Sequence, residues 1–148
     1  MMEQNITWER GEYWITTDKN KCNIHFVHNN LKKLPWAIDV EFKRVKISIE
    51  HSICFTLFHN EKEIGFARLL TDFATFAYLA DVFVIDEYQK KGLGRWLVEC
   101  ILDHPVTSYV KHVALVTYDA PWLYKKVGFQ PVIESNFVWM LDNTKSSG

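Results

Sequence analysis

A stretch near the middle of the chain combines residue types that suit anion binding. An apolar, β-rich run over residues 75–85 leads into a polar loop that contains Gln89, Gly92 and Gly94. Behind the loop, apolar residues recur at helical spacing as far as Ile101. The pattern is typical of a strand, a glycine loop and a helix. Because the first N–H groups of a helix lack intrahelical partners and carry the positive end of its dipole, the loop predicts a phosphate or pyrophosphate site.

The loop fits one of three phosphate-binding patterns. A Walker A loop requires Gly-x-x-x-x-Gly-Lys-Ser/Thr, which does not occur here. The dinucleotide fingerprint requires Gly-x-Gly-x-x-Gly, but Leu97 stands at the third glycine position. The third pattern, Gln/Arg-x-x-Gly-x-Gly/Ala after a strand, is matched by Gln89, Gly92 and Gly94. Through these residues the loop resembles that of the GNAT superfamily of acyl-CoA-dependent N-acetyltransferases. An ordinary left-handed turn that begins a helix is the alternative.

A second segment, residues 119–129, resembles another signature of the same family. Its sequence predicts a short helix with Asp119 as N-cap, Pro121 in the first turn and Gly128 as the stop. The family has an Ala-x-x-Leu-Tyr…Gly-Phe helix here, and Tyr124 falls where its tyrosine protonates the departing coenzyme A thiolate. A tyrosine packed on the sheet with its hydroxyl satisfied is the alternative. The resemblance extends from about residue 52 to the C-terminus.

The resemblance implies acetyl-CoA as the acyl donor. The loop and the helix start would hold its pyrophosphate, and a backbone N–H near the end of the long strand, foremost that of Val84, would hold the acetyl carbonyl. A well-packed strand predicts the same apolar residues there. The implied cofactor-binding residues are Phe83, Val84, Ile85, Gln89, Lys90, Lys91, Gly92, Leu93, Gly94, Arg95, Asp119 and Tyr124.

Acyl transfer also requires a neutral amine. A lysine-like amine has a pKa near 10.4, so on the order of one molecule in 10³ is neutral at pH 7. Asp81 is the first candidate for the base, because it is the one charged residue inside an apolar strand. The alternative for Asp81 is capping or pairing with a neighbouring loop. Glu50, Asp72 and Asp39 are weaker candidates, and a water chain can replace a single base.

The composition indicates one globular domain over residues 1–148, with 143–148 as a frayed tail. The chain has 148 residues, of which 48% are hydrophobic, and a net charge of −1. This length allows a sizeable core, and so small a charge offers no strong field for nucleic acid. No apolar run has the length of a membrane span, and the N-terminus lacks the apolar core of a signal peptide. We therefore expect neither a nucleic-acid nor a membrane partner.

The cysteines and histidines add little chemistry. Cys22, Cys54 and Cys100 are an odd number in apolar or helical surroundings, which favours reduced thiols and a cytoplasmic location. His25 and His28 lie three residues apart, but no further ligands cluster nearby, so we expect no metal site.

Hydrophobic periodicity predicts an α+β fold. Together with the resemblance, it implies a central mixed, mostly antiparallel sheet of six or seven strands flanked by about four helices. The predicted strands cover residues 12–17, 52–59, 63–70, 75–85, 112–117, 129–132 and 137–141. The predicted helices cover residues 22–31, 38–50, 93–102 and 119–127, although the alternation of Val45, Ile47 and Ile49 in the second of them would equally suit a strand. Residues 103–108, which contain Pro105, are predicted as a connection.

The leading hypothesis is an N-acetyltransferase that moves an acetyl group from acetyl-CoA to a primary amine by direct attack. The acceptor is a small molecule or a peptide amine. A non-catalytic acyl-CoA-binding module on the same fold is the second hypothesis, and a nucleotide-binding domain that uses the loop at Gly92 is the third. Members of the family are often homodimers, but no residue pattern in this chain points to an interface.

Overall fold

Six strands form one mixed sheet in the computed structural model, which describes residues 4–133 and 135–144. They lie in chain order across the sheet. The first five are antiparallel neighbours, and the sixth runs parallel to the fifth after a helical crossover. The strands are β1 (Thr7–Arg10), β2 (Tyr13–Thr16), β3 (Ile53–His59), β4 (Lys62–Thr71), β5 (Phe76–Val84) and β6 (His112–Leu115). The mixed, mostly antiparallel sheet is thereby confirmed.

Five helices cover the two faces of this sheet in the described part of the chain. They are α1 (Ile24–Leu31), α2 (Phe42–Glu50), α3 (Leu93–Asp103), α4 (Pro105–Tyr109) and α5 (Pro121–Lys126). α1 and α2 pack on one face, where Val27, Val45 and Phe66 are buried together. α3 and α4 pack on the other face, and Tyr124 of α5 lies against the same core. The α+β fold class is therefore confirmed. None of the helices in the described ranges has the length and apolarity needed to span a bilayer.

Strand β1, which forms a hairpin with the first predicted strand, was not predicted. β1 pairs with β2 from Thr7–Thr16 to Arg10–Tyr13. It has only four residues, and most of their side chains are exposed, so no hydrophobic alternation marks it in the sequence. Its anchor is a contact across the fold, since Trp8 Nε1 donates to Asp103 Oδ2 at 2.9 Å.

The two predicted C-terminal strands are wrong. Residues 129–132 form no strand, and the segment around residue 137 begins with a short 3₁₀ turn, Ser135–Phe137, without a following strand. Phe137, Trp139 and Leu141 are 65%, 87% and 86% exposed. The physical reason is that β-favouring residues form a strand only where they find a partner edge. No element of the described chain pairs with these residues, and β6 is itself only four residues long.

The predicted connection at residues 103–108 is also wrong, because it contains α4. His104 is the N-cap of this helix, and its Nδ1 accepts a hydrogen bond from the Val106 N–H at 3.1 Å. Pro105 follows at the first helical position, where its missing N–H costs nothing. His104 is 1% exposed, beside Trp8 and Phe55. Burial lowers its pKa below the usual value, against a smaller opposing effect of Asp103.

His104 is expected to make the fold sensitive to acid. Since its pKa is lower in the folded than in the unfolded protein, the unfolded state binds protons first as the pH falls below about 6.5. The contribution of His104 to the free energy of unfolding is therefore fully present above that pH. It decreases at lower pH, by about 1.4 kcal/mol for each unit by which the two pKa values differ. His104→Asn, which keeps a capping oxygen, should lose part of this pH dependence in urea unfolding between about pH 8 and about pH 5.5.

The matched control is His112→Asn, which changes an exposed histidine. Glu63 acts in the opposite direction, because burial raises its pKa to about 7 and its contribution is lost as the pH rises toward that value. The pH dependence of the unfolding free energy is therefore compared between each variant and wild type, because the wild-type curve alone contains both effects. Equal pH dependence in His104→Asn and in wild type would assign the acid sensitivity to another group.

Candidate active site

The fifth strand continues beyond its parallel partner. The pairs between β5 and β6 end at Leu79–Leu115. β5 itself runs to Val84 and remains paired with β4 as far as Gly65–Val84. Residues 80–84 thus have β4 on one side and an opening on the other, which we call the gap. The other side of the gap is formed by residues 116–120, which follow β6. Backbone groups that face this gap are available to a ligand, which can complete the ladder.

The backbone of Val84 is directed into the gap. Ile85 donates its N–H to the Ile64 carbonyl at 2.8 Å, and Val84 stands opposite Gly65. In an antiparallel ladder, residues alternate between those that bond the partner strand and those whose backbone groups point away from it. The groups of Val84 therefore point toward the gap, where its carbonyl accepts from Gln89 Nε2 at 2.9 Å. The N–H of Val84 therefore faces the gap, whereas that of Ile85 is bonded to β4.

Two of the predicted residues serve as anchors in the core. The ring of Phe83 packs against Phe26 and Phe66, with centroids 5.8 and 6.1 Å apart, on the face covered by α1 and α2. Leu93 is 3% exposed and holds the start of α3 against the opposite face. Val84 and the glycine loop are thereby fixed from both sides of the sheet.

The N-terminus of α3 is open. Gly92 is its N-cap with a φ of 79°, a left-handed conformation that favours glycine, and among the described residues no side chain caps the first turn. A Cβ added at Gly92 or Gly94 would meet no atom of the described residues within 4 Å, so the space beside these two glycines is open. Lys90 and Lys91 are exposed beside it. Uncapped N–H groups, open space and two cations fit a pyrophosphate.

Gln89 and Arg95 are both engaged within the protein. Gln89 Nε2 donates to the Val84 carbonyl and, at 3.3 Å, to Asp86 Oδ1. The glutamine of the motif therefore ties the end of β5 to the loop. Arg95 Nε lies 3.5 Å from Glu99 Oε2, one turn along α3. This exposed pair is weak, so Arg95 remains able to turn toward an anion.

Tyr124 is held by the way in which α5 ends. Gly128 has a φ of 106° and donates its N–H to the Lys125 carbonyl at 3.2 Å. Phe129 donates to the Tyr124 carbonyl at 3.0 Å, and its ring lies 5.9 Å from that of Tyr124. This is a Schellman motif with its hydrophobic contact, and the predicted stop at Gly128 is confirmed. Burial, and then the charge of Asp119, raise the pKa of Tyr124, so its hydroxyl keeps its proton at neutral pH.

The prediction that Asp119 is the N-cap of α5 is wrong. The N-cap is Ala120, and Pro121 occupies the first helical position. The N–H of Ala120 bonds to Thr117 Oγ1 at 3.1 Å. The reason is that Pro121 presets the first helical residue and so places the cap at the residue directly before it. Asp119 is exposed beside the gap, and its negative charge helps to raise the pKa of Tyr124.

The four candidate bases occupy different surroundings. Asp81 forms a partly buried ion pair with Arg68, the Nε–Oδ2 distance being 2.5 Å. Asp72 accepts a hydrogen bond from the Thr75 hydroxyl and N–H bonds from Ala74, Thr75 and Phe76 in the turn before β5, and these bonds hold its pKa well below the usual range. Asp72 is thus a turn residue at the far end of β5 from Val84. Glu50 ends α2 and Asp39 precedes it.

Arg68 and Glu63 are polar residues that sequence reasoning missed. Glu63 Oε1 accepts the Asn23 N–H at 3.2 Å at the start of α1, while its other oxygen is buried without a partner among the described residues. Nothing in the polar stretch around residue 60 distinguishes Glu63 from a solvated turn residue.

Burial also raises the pKa of Cys22 to about 11 and that of Cys54 to about 12, so these thiols are not nucleophiles at neutral pH.

The likeness to known proteins covers most of the chain. A family model described as an acetyltransferase (GNAT) domain matches residues 50–131. "Putative acetyltransferase FG08082" of Gibberella zeae is 28% identical, with 82% of this chain and 83% of that protein aligned. A crystal structure described as a GNAT-family acetyltransferase of Xanthomonas campestris is 32% identical, with a TM-score of 0.85 over 90% of this chain and 95% of that one.

A third protein has the same fold at lower identity. An acetyltransferase of Clostridium acetobutylicum, whose crystal structure is described as containing acetyl-CoA, aligns over 95% of each chain with a TM-score of 0.63 and 15% identity.

Proposed function

The chain belongs to the GNAT family of acetyltransferases, and on this premise we propose that it transfers an acetyl group from acetyl-CoA to a primary amine by direct attack. The observation that carries the proposal is the position of the Val84 N–H, which faces the gap directly before the open N-terminus of α3. One ligand that has an anionic group and amides along its length would satisfy both features.

The residues that would hold acetyl-CoA follow the gap. The N–H groups at Gly92, Leu93 and Gly94 would bind the pyrophosphate, with Lys90, Lys91 and Arg95 as surrounding cations. Val84 would hold the thioester carbonyl. Phe83, Ile85 and Gln89 would support this site from behind. Asp119 would lie on the other side of the gap, and Tyr124 would reach the thioester sulfur from α5.

The proposed reaction requires the protein to stabilise the carbonyl oxygen, to protonate the leaving thiolate and to remove the amine proton. The amine nitrogen attacks the thioester carbon, and the Val84 N–H stabilises the negative charge that develops on the carbonyl oxygen. The C–S bond then breaks, and Tyr124 donates its proton to the leaving thiolate before solvent returns one. The amine proton leaves through a base. Asp81 and a water chain are the two routes, and we favour water because Arg68 already bonds the Asp81 carboxylate.

The acceptor that we propose is a small molecule or a peptide amine. We further propose a cytoplasmic single-domain enzyme over residues 1–148 that acts as a monomer or a homodimer. The second candidate function is a non-catalytic acyl-CoA-binding module. It predicts binding of acetyl-CoA without acetylation of any member of a broad amine panel.

Acetyl-CoA, and separately ATP, should be titrated against the thermal stability of the protein. A ligand specific for the native state adds about 2.7 kcal/mol at 100 times its dissociation constant. This corresponds to a midpoint increase of several degrees for a domain of this size. We expect the increase with acetyl-CoA and not with ATP, followed by release of free coenzyme A thiol in an amine screen. An increase with ATP alone would instead support a nucleotide site.

A further inference from the structure

We propose that Arg68 is a positioning residue, and that its ion pair with Asp81 holds a bulge in β5 that opens the gap. The inference rests on the proposed acyl transfer at the gap. It gives Asp81 a conformational role in place of the role of a base.

The bulge lies where β5 and β6 separate. On β4, Arg68 pairs with Ala80 and Phe66 pairs with Phe83, so the single residue between them faces two residues of β5, Asp81 and Val82. Such a bulge bends the strand and increases its twist. The last pair between β5 and β6, at Leu79, lies directly before it. The bend therefore carries the rest of β5 away from β6, and the gap begins at this point.

The backbone of Asp81 has an unfavourable conformation. Its φ is 56°, in the left-handed region that few residues other than glycine adopt. Aspartate and asparagine tolerate this region better than other side chains do. The conformation persists only where the surroundings hold it, and here the side chain is the point of attachment.

Arg68 supplies this attachment from the neighbouring strand. Its Nε lies 2.5 Å from Asp81 Oδ2, and its Nη1 donates to Ser52 Oγ at 3.3 Å. Ser52 in turn donates to the Ser48 carbonyl at 2.7 Å, in the last turn of α2. The side chains of Arg68 and Asp81 are 17% and 22% exposed. The planar guanidinium thus fixes the bulge to α2 in a partly buried network, which a flexible ammonium would hold less well.

The direction of this contact argues against Asp81 as the base. Arg68 lies on β4, and the gap lies on the other side of β5, toward β6. The carboxylate is turned to Arg68, and its Oδ2 already accepts a hydrogen bond from Arg68 Nε. Asp81 therefore serves the shape of the strand.

Three substitutions at Asp81 separate the two roles. Asp81→Gly permits a positive φ without any attachment, and Asp81→Asn tolerates it and keeps an oxygen that accepts from Arg68 Nε, so in both variants kcat should stay within about threefold of wild type with an unchanged pH profile. Asp81→Val disfavours a positive φ and should displace the Val84 N–H, which lowers kcat by about 10²-fold. A loss of about 10²-fold in both Asp81→Gly and Asp81→Asn, with the acidic limb of kcat/KM removed, would identify Asp81 as a base and overturn the proposal.

Arg68 is tested against Asp81 in a double-mutant cycle. Arg68→Gln should lower kcat in the wild-type background but have no further effect in the Asp81→Gly background, because there is no longer a carboxylate to hold. Arg68→Lys should recover part of the loss. Additive effects of Arg68→Gln and Asp81→Gly would show that Arg68 acts elsewhere.

Amide hydrogen exchange provides a readout that does not depend on turnover. Exchange over residues 80–86 should increase at least about tenfold in Asp81→Val and Arg68→Gln and stay unchanged in Asp81→Asn. Unchanged exchange in Asp81→Val would overturn the proposal even if no amine is acetylated. Conversely, a wild-type protein that acetylates no amine while the exchange pattern holds would remove the proposed function and leave the role of Arg68 in holding the bulge.

Discussion

Tyr124→Phe is expected to lower kcat by about 10²-fold while acetyl-CoA binding remains nearly unchanged. The substitution removes only the hydroxyl, because the ring still packs edge-on against Phe129 and the Schellman end of α5 is a backbone feature. Burial raises the pKa of Tyr124, so the wild-type hydroxyl remains a proton donor throughout the neutral range. Single-turnover rates with saturating acetyl-CoA, together with calorimetric titration of acetyl-CoA, measure the two effects separately.

The control for this prediction is Tyr109→Phe. Tyr109 ends α4 and is 66% exposed, so the loss of its hydroxyl should change neither rate nor binding. If Tyr124→Phe turns over at the wild-type rate, Tyr124 has no part in proton transfer. A weaker binding of acetyl-CoA with an unchanged rate would make it a binding residue instead.

Gly94→Ala is expected to weaken acetyl-CoA binding by at least tenfold while it stabilises the free protein. A Cβ at this position meets no atom of the described chain within 4 Å, and alanine favours a helix over glycine by about 1 kcal/mol. The same methyl group projects into the space at the start of α3 where the pyrophosphate would approach the N–H groups. Urea unfolding without ligand and calorimetric titration with acetyl-CoA measure the two opposite effects.

Gly92→Ala is the matched comparison. Its Cβ is equally unobstructed, but its φ of 79° is unfavourable for alanine, so this variant should lose about 1 kcal/mol of unfolding free energy. Only Gly94→Ala should combine greater stability with weaker binding. Wild-type affinity in Gly94→Ala would place the pyrophosphate away from the start of α3.

The local elements of the site could be predicted from the sequence. The strand before Gln89, the glycine at the start of α3 and the stop at Gly128 follow from hydrophobic periodicity and from the backbone conformations that glycine allows. The buried side of α3, with Leu93, Trp96 and Leu97 among its residues, follows the predicted helical spacing. These features depend on interactions within a few residues, so a local pattern carries them.

The role of each polar side chain required the tertiary structure. As a sequence feature, Asp81 was compatible both with a base and with a paired residue, and only its contact with Arg68, thirteen positions earlier, distinguishes them. The burial of His104 and of Glu63, which shifts their pKa values in opposite directions, is equally invisible in the sequence. Such effects are set by the elements that pack around a group, and those elements come from distant parts of the chain.

The sequence by itself thus determined the order of strand, glycine loop and helix, and the position of Tyr124 on its short helix. The tertiary structure alone decided that β5 and β6 separate after Leu79, that Val84 faces the opening, and that residues 137–141 form no strand. The physical reason is the range of the forces involved. Helix ends and turns are governed by neighbouring residues, whereas strand pairing, bulges and burial depend on which distant edge or face the chain meets.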